Sequence, residues 1–247
     1  MKPSIYWRRV GVCVLLNLLS EFWVHGLTGF MNPVLTGSLI VLYTTYFLMV
    51  EDLIVRFKLR DYHVMMTAFI FGLWHETFTT GSVFGDAVIF GVNPIIILLS
   101  TIFWWGAMQT VAFLYFANRI VGSRDWEHRR LGRIGWIMCM FFSLQAAQNY
   151  MKNPSASHEA YLVVFCLLAV VGFSLIKSVK KEGSHSSGDS KALDILVLVH
   201  IVVSLIVGFT IGSASNSVSL IGFVVWSVVF GFVVGVVRYK LGRPIPI

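Results

Sequence analysis

The sequence predicts an all-α polytopic integral membrane bundle of about eight transmembrane helices, with both termini cytoplasmic. Three observations predict it. The 247 residues are 57% hydrophobic and only 13% charged, with a mean hydropathy of +0.78, where a soluble domain carries about 25% charged residues. Apolar runs recur at the roughly 20 residues a bilayer demands. Lysine and arginine gather in alternate loops rather than being spread evenly. Nothing alternates with the two-residue period of a barrel strand, and only helices or closed barrels satisfy their backbone in lipid.

A single membrane domain, 1–247, is expected. Helix one runs over about 9–30. Its basic start, Lys2, Arg8 and Arg9, resembles a signal peptide. The apolar run is long, however, and holds Glu21 and His25, so it reads as a retained span. Asn32-Pro33 opens helix two, about 34–55, because proline suits a first helical turn. Helix three covers about 62–80. After a loop, Asn93-Pro94 opens helix four, about 94–120. Helix five follows at about 133–150, and Asn153-Pro154-Ser155 breaks the chain before helix six, about 158–179. The polar stretch 180–191 reads as a flexible linker. Helices seven and eight, about 193–212 and 218–239, are nearly pure Val, Ile, Leu and Phe. They carry Gly208-x-x-x-Gly212 and Gly231-x-x-x-Gly235, which suggest close helix packing.

The basic clusters fall around Lys2–Arg9, Arg56–Arg60, Arg119–Arg133, Lys177–Lys191 and Arg238–Arg243, all on one side if the helices alternate. The opposite loops hold Lys152 as their only lysine or arginine. The positive-inside rule therefore puts both ends in the cytoplasm, with the plasma (cell) membrane as the expected location. The net charge of +7 is then a topology signal with attraction to anionic lipid heads, and nucleic acid needs no invoking. Cys13, Cys139 and Cys166 sit in apolar spans at no metal-like spacing and read as small hydrophobes. No phosphate-binding glycine loop, Gly-x-Ser-x-Gly elbow or His-Glu-x-x-His is present, which argues against kinase, serine hydrolase and zincin chemistry. No span holds a deep lysine for a retinal Schiff base.

Ionisable side chains inside a span cost about 2.5–3.5 kcal/mol each to insert, so they are functional candidates. Counting a 1.5 Å rise from each cytoplasmic end puts Glu21 about 18 Å deep, His25 about 24 Å, His75 and Glu76 about 20 Å, and Gln145 and Gln148 about 18–23 Å. Three helices thus bring polar groups to one layer. Glu21 and His25 share a helix face at i, i+4, and Tyr43, Tyr46, Trp104, Trp105 and Gln109 line the same space. Two imidazoles and two carboxylates can hold a transition metal, relay protons or activate a water. They can also simply pin helices together.

A second group is Glu51, Asp52 and Arg56. Adjacent acids one turn from an arginine can make an unequal pair, one carboxylate held ionised and the other left to act as a base. They can equally form a solvated ion-pair cluster. Glu51-Asp52-x-x-x-Arg56, followed by Phe71-x-x-x-His75 and later His200, resembles the motifs of the CAAX protease and bacteriocin-processing family of intramembrane proteases. That family carries Glu-Glu-x-x-x-Arg, then Phe-x-x-x-His, then a further histidine. The resemblance implies that Glu51 activates a water, Arg56 orients the acids, His75 assists or binds the oxyanion, and His200 completes the site without an obligatory metal. Asp52 stands where the family has a second glutamate, and Ser204 where asparagine often follows the last histidine.

Three functions are carried forward. One is a membrane hydrolase acting on a membrane-associated peptide through Glu51, Asp52, Arg56, His75 and His200, with no cofactor. Another is a transporter or metal- and proton-handling protein built on Glu21, His25, His75, Glu76, Gln145 and Gln148, taking a small ion. The third is a membrane scaffold or accessory subunit. The lipid bilayer is a partner in all three.

Overall fold

The computed structural model of the chain describes residues 5–84, 89–124, 126, 131–148, 157–179, 190–210 and 217–247. Long helices occupy the predicted positions: α1 (Ile5–Phe30), α2 (Pro33–Phe57), α3 (Asp61–Phe78), α4 (Pro94–Val121), α5 (Arg133–Gln148), α6 (His158–Ser178), α7 (Lys191–Thr210) and α8 (Ser217–Leu241). Six of them, all but α3 and α5, are long and apolar enough to cross a membrane. α3 has 18 residues and α5 has 16, about 27 and 24 Å of helix at 1.5 Å per residue. No strand forms among the described residues, which hold one isolated bridge, Ile89 to Val92. The predicted linker falls largely on 180–189, outside the described residues.

Local chemistry sets the helix starts. The Asn32 side chain accepts from the Val34 and Leu35 amides at 3.0 and 3.3 Å, with Pro33 at the first helical position. Asn93 does the same for Ile95 and Ile96 at 3.0 and 3.1 Å ahead of α4. Each side-chain oxygen satisfies amides that have no intrahelical acceptor. α1 is kinked at Gly26, whose φ of 62° lies in the left-handed region that glycine tolerates. α4 departs from α-helical geometry over Ile97–Ala112, where its backbone bonds run in π register. Such wide turns are rare and often mark functional positions.

α2 is the centre of the bundle: 72% of its apolar window is buried, against 11% for α6. α1 packs on α2, α4 and α7, while α3 and α8 pack on α4, α5 on α2, and α6 on α3. Large side chains fill the interior, with Trp105, Tyr43, Tyr46, Phe47, Phe113 and Phe230 all buried. α6 turns Phe165, Val170, Phe173 and Ile176 outward, the pattern of a helix facing acyl chains. The chain is thus a polytopic helical membrane protein.

Gly212 lies outside the described residues, and Gly208 and Gly231 act by a different route from the expected backbone approach. Gly208 receives the ring of Phe22 from α1, and Gly231 receives the ring of Phe103 from α4, while the space above Gly235 is open. These glycines seat aromatic knobs. Gly231→Val should therefore lower stability by about 1–3 kcal/mol through overpacking, and Gly235→Val should not. Thermal melts of the two purified variants check the difference, and equal melts would refute it.

Candidate functional site

Polar side chains of α1 to α4 form one connected group. Glu21, on the inner face of α1, is buried. One carboxylate oxygen accepts the hydroxyl of Tyr43 from α2, and the other faces Nε2 of His25 at 3.2 Å. The helical i, i+4 spacing makes the second contact possible, and His25, with 27% of its side chain exposed, is its outer end. Having donated to Glu21, the Tyr43 hydroxyl accepts from Nε2 of Gln109 on α4 at 3.2 Å. Asn17, one turn before Glu21, donates from Nδ2 to the Cys13 carbonyl at 2.8 Å and to the Gln109 carbonyl at 3.3 Å. A closed loop results, running Asn17, Gln109, Tyr43, Glu21 and back along α1.

The second acid lies across an aromatic partition. Glu76 of α3 accepts from Nε1 of Trp105 at 3.1 Å on one oxygen, and on the other from Thr80 at 2.8 Å and from Ser82. Nδ1 of His75 stands 3.8 Å from Glu76, and its ring centroid 5.1 Å from that of Trp105. Trp105 also meets Tyr43 at 5.9 Å and Tyr46 at 5.7 Å. It fits against α3 because residue 72 is glycine: a Cβ there would stand 2.7 Å from the indole. Glu21, His25, His75 and Glu76 are therefore assembled around Tyr43 and Trp105. Gln145 lies on an exposed stretch of α5, and the Gln148 side chain lies outside the described residues. Among the described residues no three His, Cys, Asp or Glu side chains converge as a metal-holding group.

Glu51 and Asp52 have separate partners. Glu51, buried on α2, takes Nε of Arg9 at 3.0 Å and Nε and Nη2 of Arg124 at 2.6 and 2.9 Å. Arg9 also bonds Asn118 at 3.0 Å and the Gly122 carbonyl at 2.9 Å, the carboxyl end of α4, where the helix dipole favours a cation. Arg56 binds Asp52, at 2.8 and 3.1 Å, and not Glu51. Asp52 further accepts from the Leu131 amide at 2.9 Å and from the Trp136 indole at 2.7 Å, which ties the approach to α5 onto α2. Neither acid is left unpartnered as a base, and the group is buried rather than solvated.

His200 is fully buried among α1, α7 and α8. Nε1 of Trp226 donates to its Nδ1 at 3.1 Å, so Nε2 carries the ring proton and donates to Ser20 at 3.0 Å. The Ser20 hydroxyl in turn donates to the Leu16 carbonyl at 3.1 Å. Both ring nitrogens are satisfied as in a helix pin, and Ser204 adds a contact at 3.4 Å. Trp226→Phe should leave Nδ1 only the longer Ser204 contact and cost about 0.5–1.5 kcal/mol, the net worth of one hydrogen bond. A melt unchanged from wild type would contradict that assignment.

Sequence reasoning missed Asn17, although it continues the stripe of Glu21 and His25 at four-residue spacing. It also took Arg9 and Arg124 as topology signals only. Pairs separated by 42 and 73 residues in the chain leave no local pattern. A cavity of about 320 Å³ beside these helices, lined by Tyr46, Leu53, Phe71, Trp74, Trp136 and Met140 among others, carries no acidic, histidine or basic side chain. It suits an apolar chain and is distinct from the polar loop. No protein-family model, curated protein or solved structure matches this chain.

Proposed function

We propose that this chain is a membrane transporter that handles protons through Glu21 and His25, with Tyr43 and Gln109 behind them and His75–Glu76 as a second acid–imidazole pair. The observation that carries the reading is the unbroken run of contacts from partly exposed His25 through Glu21 and Tyr43 to Gln109. Carboxylates are expensive at membrane depth, and where present they commonly serve ion or proton paths. Imidazole beside carboxylate is suited to accepting and releasing protons near neutral pH. An eight-span topology with both ends cytoplasmic, in the plasma membrane, belongs to the same proposal and rests on the segregation of basic residues.

The peptidase alternative draws less support. Its Glu51 is engaged by Arg9 and Arg124, its His200 by Ser20 and Trp226, and no hydrogen bond or ion pair among the described residues joins either to His75. A purely structural role suits the Arg9–Glu51–Arg124 group but gives no reason for an acid–imidazole pair open at one end.

The test uses the purified chain in liposomes holding a pH-sensitive dye, with a proton gradient and a clamped membrane potential. Wild type should dissipate the gradient faster than empty liposomes. Identical decay in liposomes with wild type and with Glu21→Gln would overturn the proposal.

A further inference from the structure

We propose that the loop formed by Asn17, Glu21, Tyr43 and Gln109 binds a monovalent alkali cation. This rests on the reading of Glu21 as the ion-handling acid and names the ion that the same acid takes besides a proton.

The starting point is two oxygens with no donor. Among the described residues Oδ1 of Asn17 and Oε1 of Gln109 are buried and unpartnered, and both residues have no exposed surface. Their orientations are fixed by what the nitrogens do. Nδ2 of Asn17 faces two backbone carbonyls, those of Cys13 and Gln109, which can only accept. Nε2 of Gln109 faces the Tyr43 hydroxyl, whose own proton goes to Glu21. Flipping either amide would set oxygen against carbonyl oxygen in one case and break the Tyr43 contact in the other. Each amide therefore keeps its acceptor oxygen unsatisfied, which a low-dielectric interior penalises unless something positive or protic is present.

The chemistry of the donor set selects the class of ion. The four residues of the loop offer oxygens: Oδ1 of Asn17, Oε1 of Gln109 and the Glu21 carboxylate, which Tyr43 and His25 contact. Oxygen-only sets suit hard cations. Glu21 is the one carboxylate of the four residues, so a monovalent ion matches its single charge and a divalent one would exceed it. The absence of thiolate or imidazole from the loop disfavours a transition metal. Gln109 also lies in the π-register part of α4, Ile97–Ala112. Irregular helix at membrane depth is tolerated where it serves a buried site, and transporters use such backbone to coordinate sodium.

A ligand that binds only the folded state raises its melting temperature. Melts of the detergent-purified full chain, followed by tryptophan fluorescence, would be recorded with NaCl, LiCl or KCl replacing choline chloride at constant ionic strength. At least one alkali cation should raise Tm in a saturable way. Asn17→Leu and Glu21→Gln should each lose that shift. No cation-specific shift in wild type would overturn the proposal and leave the two oxygens to water. So would a shift that both variants retain. Should one variant fail to fold, the other and the wild-type titration still decide. Glu21-dependent proton movement without any cation shift would sink this inference alone. A cation shift without proton movement would sink the transport reading and leave a structural ion.

Discussion

Glu51→Gln is expected to destabilise the chain by about 3–5 kcal/mol, the usual cost of breaking a buried ion cluster by removing one partner. Among the described residues Glu51 is the side-chain carboxylate that bonds both Arg9 and Arg124, and all three are buried; Arg124 also donates to the Ile247 oxygen at 2.7 Å. A neutral amide would take from two buried guanidinium groups the counter-charge they share, and its NH2 would point at one of them. Arg9 would keep Asn118 and the Gly122 carbonyl, so the loss is large without requiring complete unfolding. Denaturant titration of wild type and Glu51→Gln in one detergent measures it. Pairing the change with Arg9→Met should restore part of the loss, because it removes one stranded charge. A Glu51→Gln protein as stable as wild type, yet inactive against a membrane peptide, would favour the peptidase reading and count against this one.

The second large effect is on function. Glu21→Gln should slow proton movement by about a hundredfold or more, the usual scale when a proton-transferring group is removed. Stability should change far less, because glutamine still offers an oxygen to Tyr43 and an NH2 toward His25, which bond Glu21 in the wild type. Tyr43→Phe makes a useful partner. It cuts the link between Glu21 and Gln109 while keeping the ring against Trp105. It should slow proton movement while leaving His25 and Glu21 in contact. Wild-type flux from Glu21→Gln in the liposome assay would remove the acid from the path.

Much of the architecture was legible in the chain. The Asn32-Pro33 and Asn93-Pro94 pairs open α2 and α4 as read, because an asparagine cap and a first-turn proline act on their own few residues. The i, i+4 relation of Glu21 and His25 survives as a contact because helical geometry alone brings the two together. Depth counting put Glu21, His25, His75, Glu76, Gln145 and Gln148 in one layer; Glu76 meets Trp105, which meets Tyr43, the partner of Glu21, whereas Gln145 lies on an exposed stretch of α5. The Glu51 motif illustrates the opposite case. Its spacing to Arg56 suggested one shared cluster, yet helix rotation aims Glu51 at α1 and the end of α4, and Asp52 at α5.

The sequence by itself therefore determined a helical membrane protein and the positions of its apolar helices, since these depend on composition and on periodicity along one chain. Only the tertiary structure decided which acid meets which base. Burying a charge demands a partner, and that partner is chosen by how neighbouring helices rotate and pack, over separations that no local pattern records.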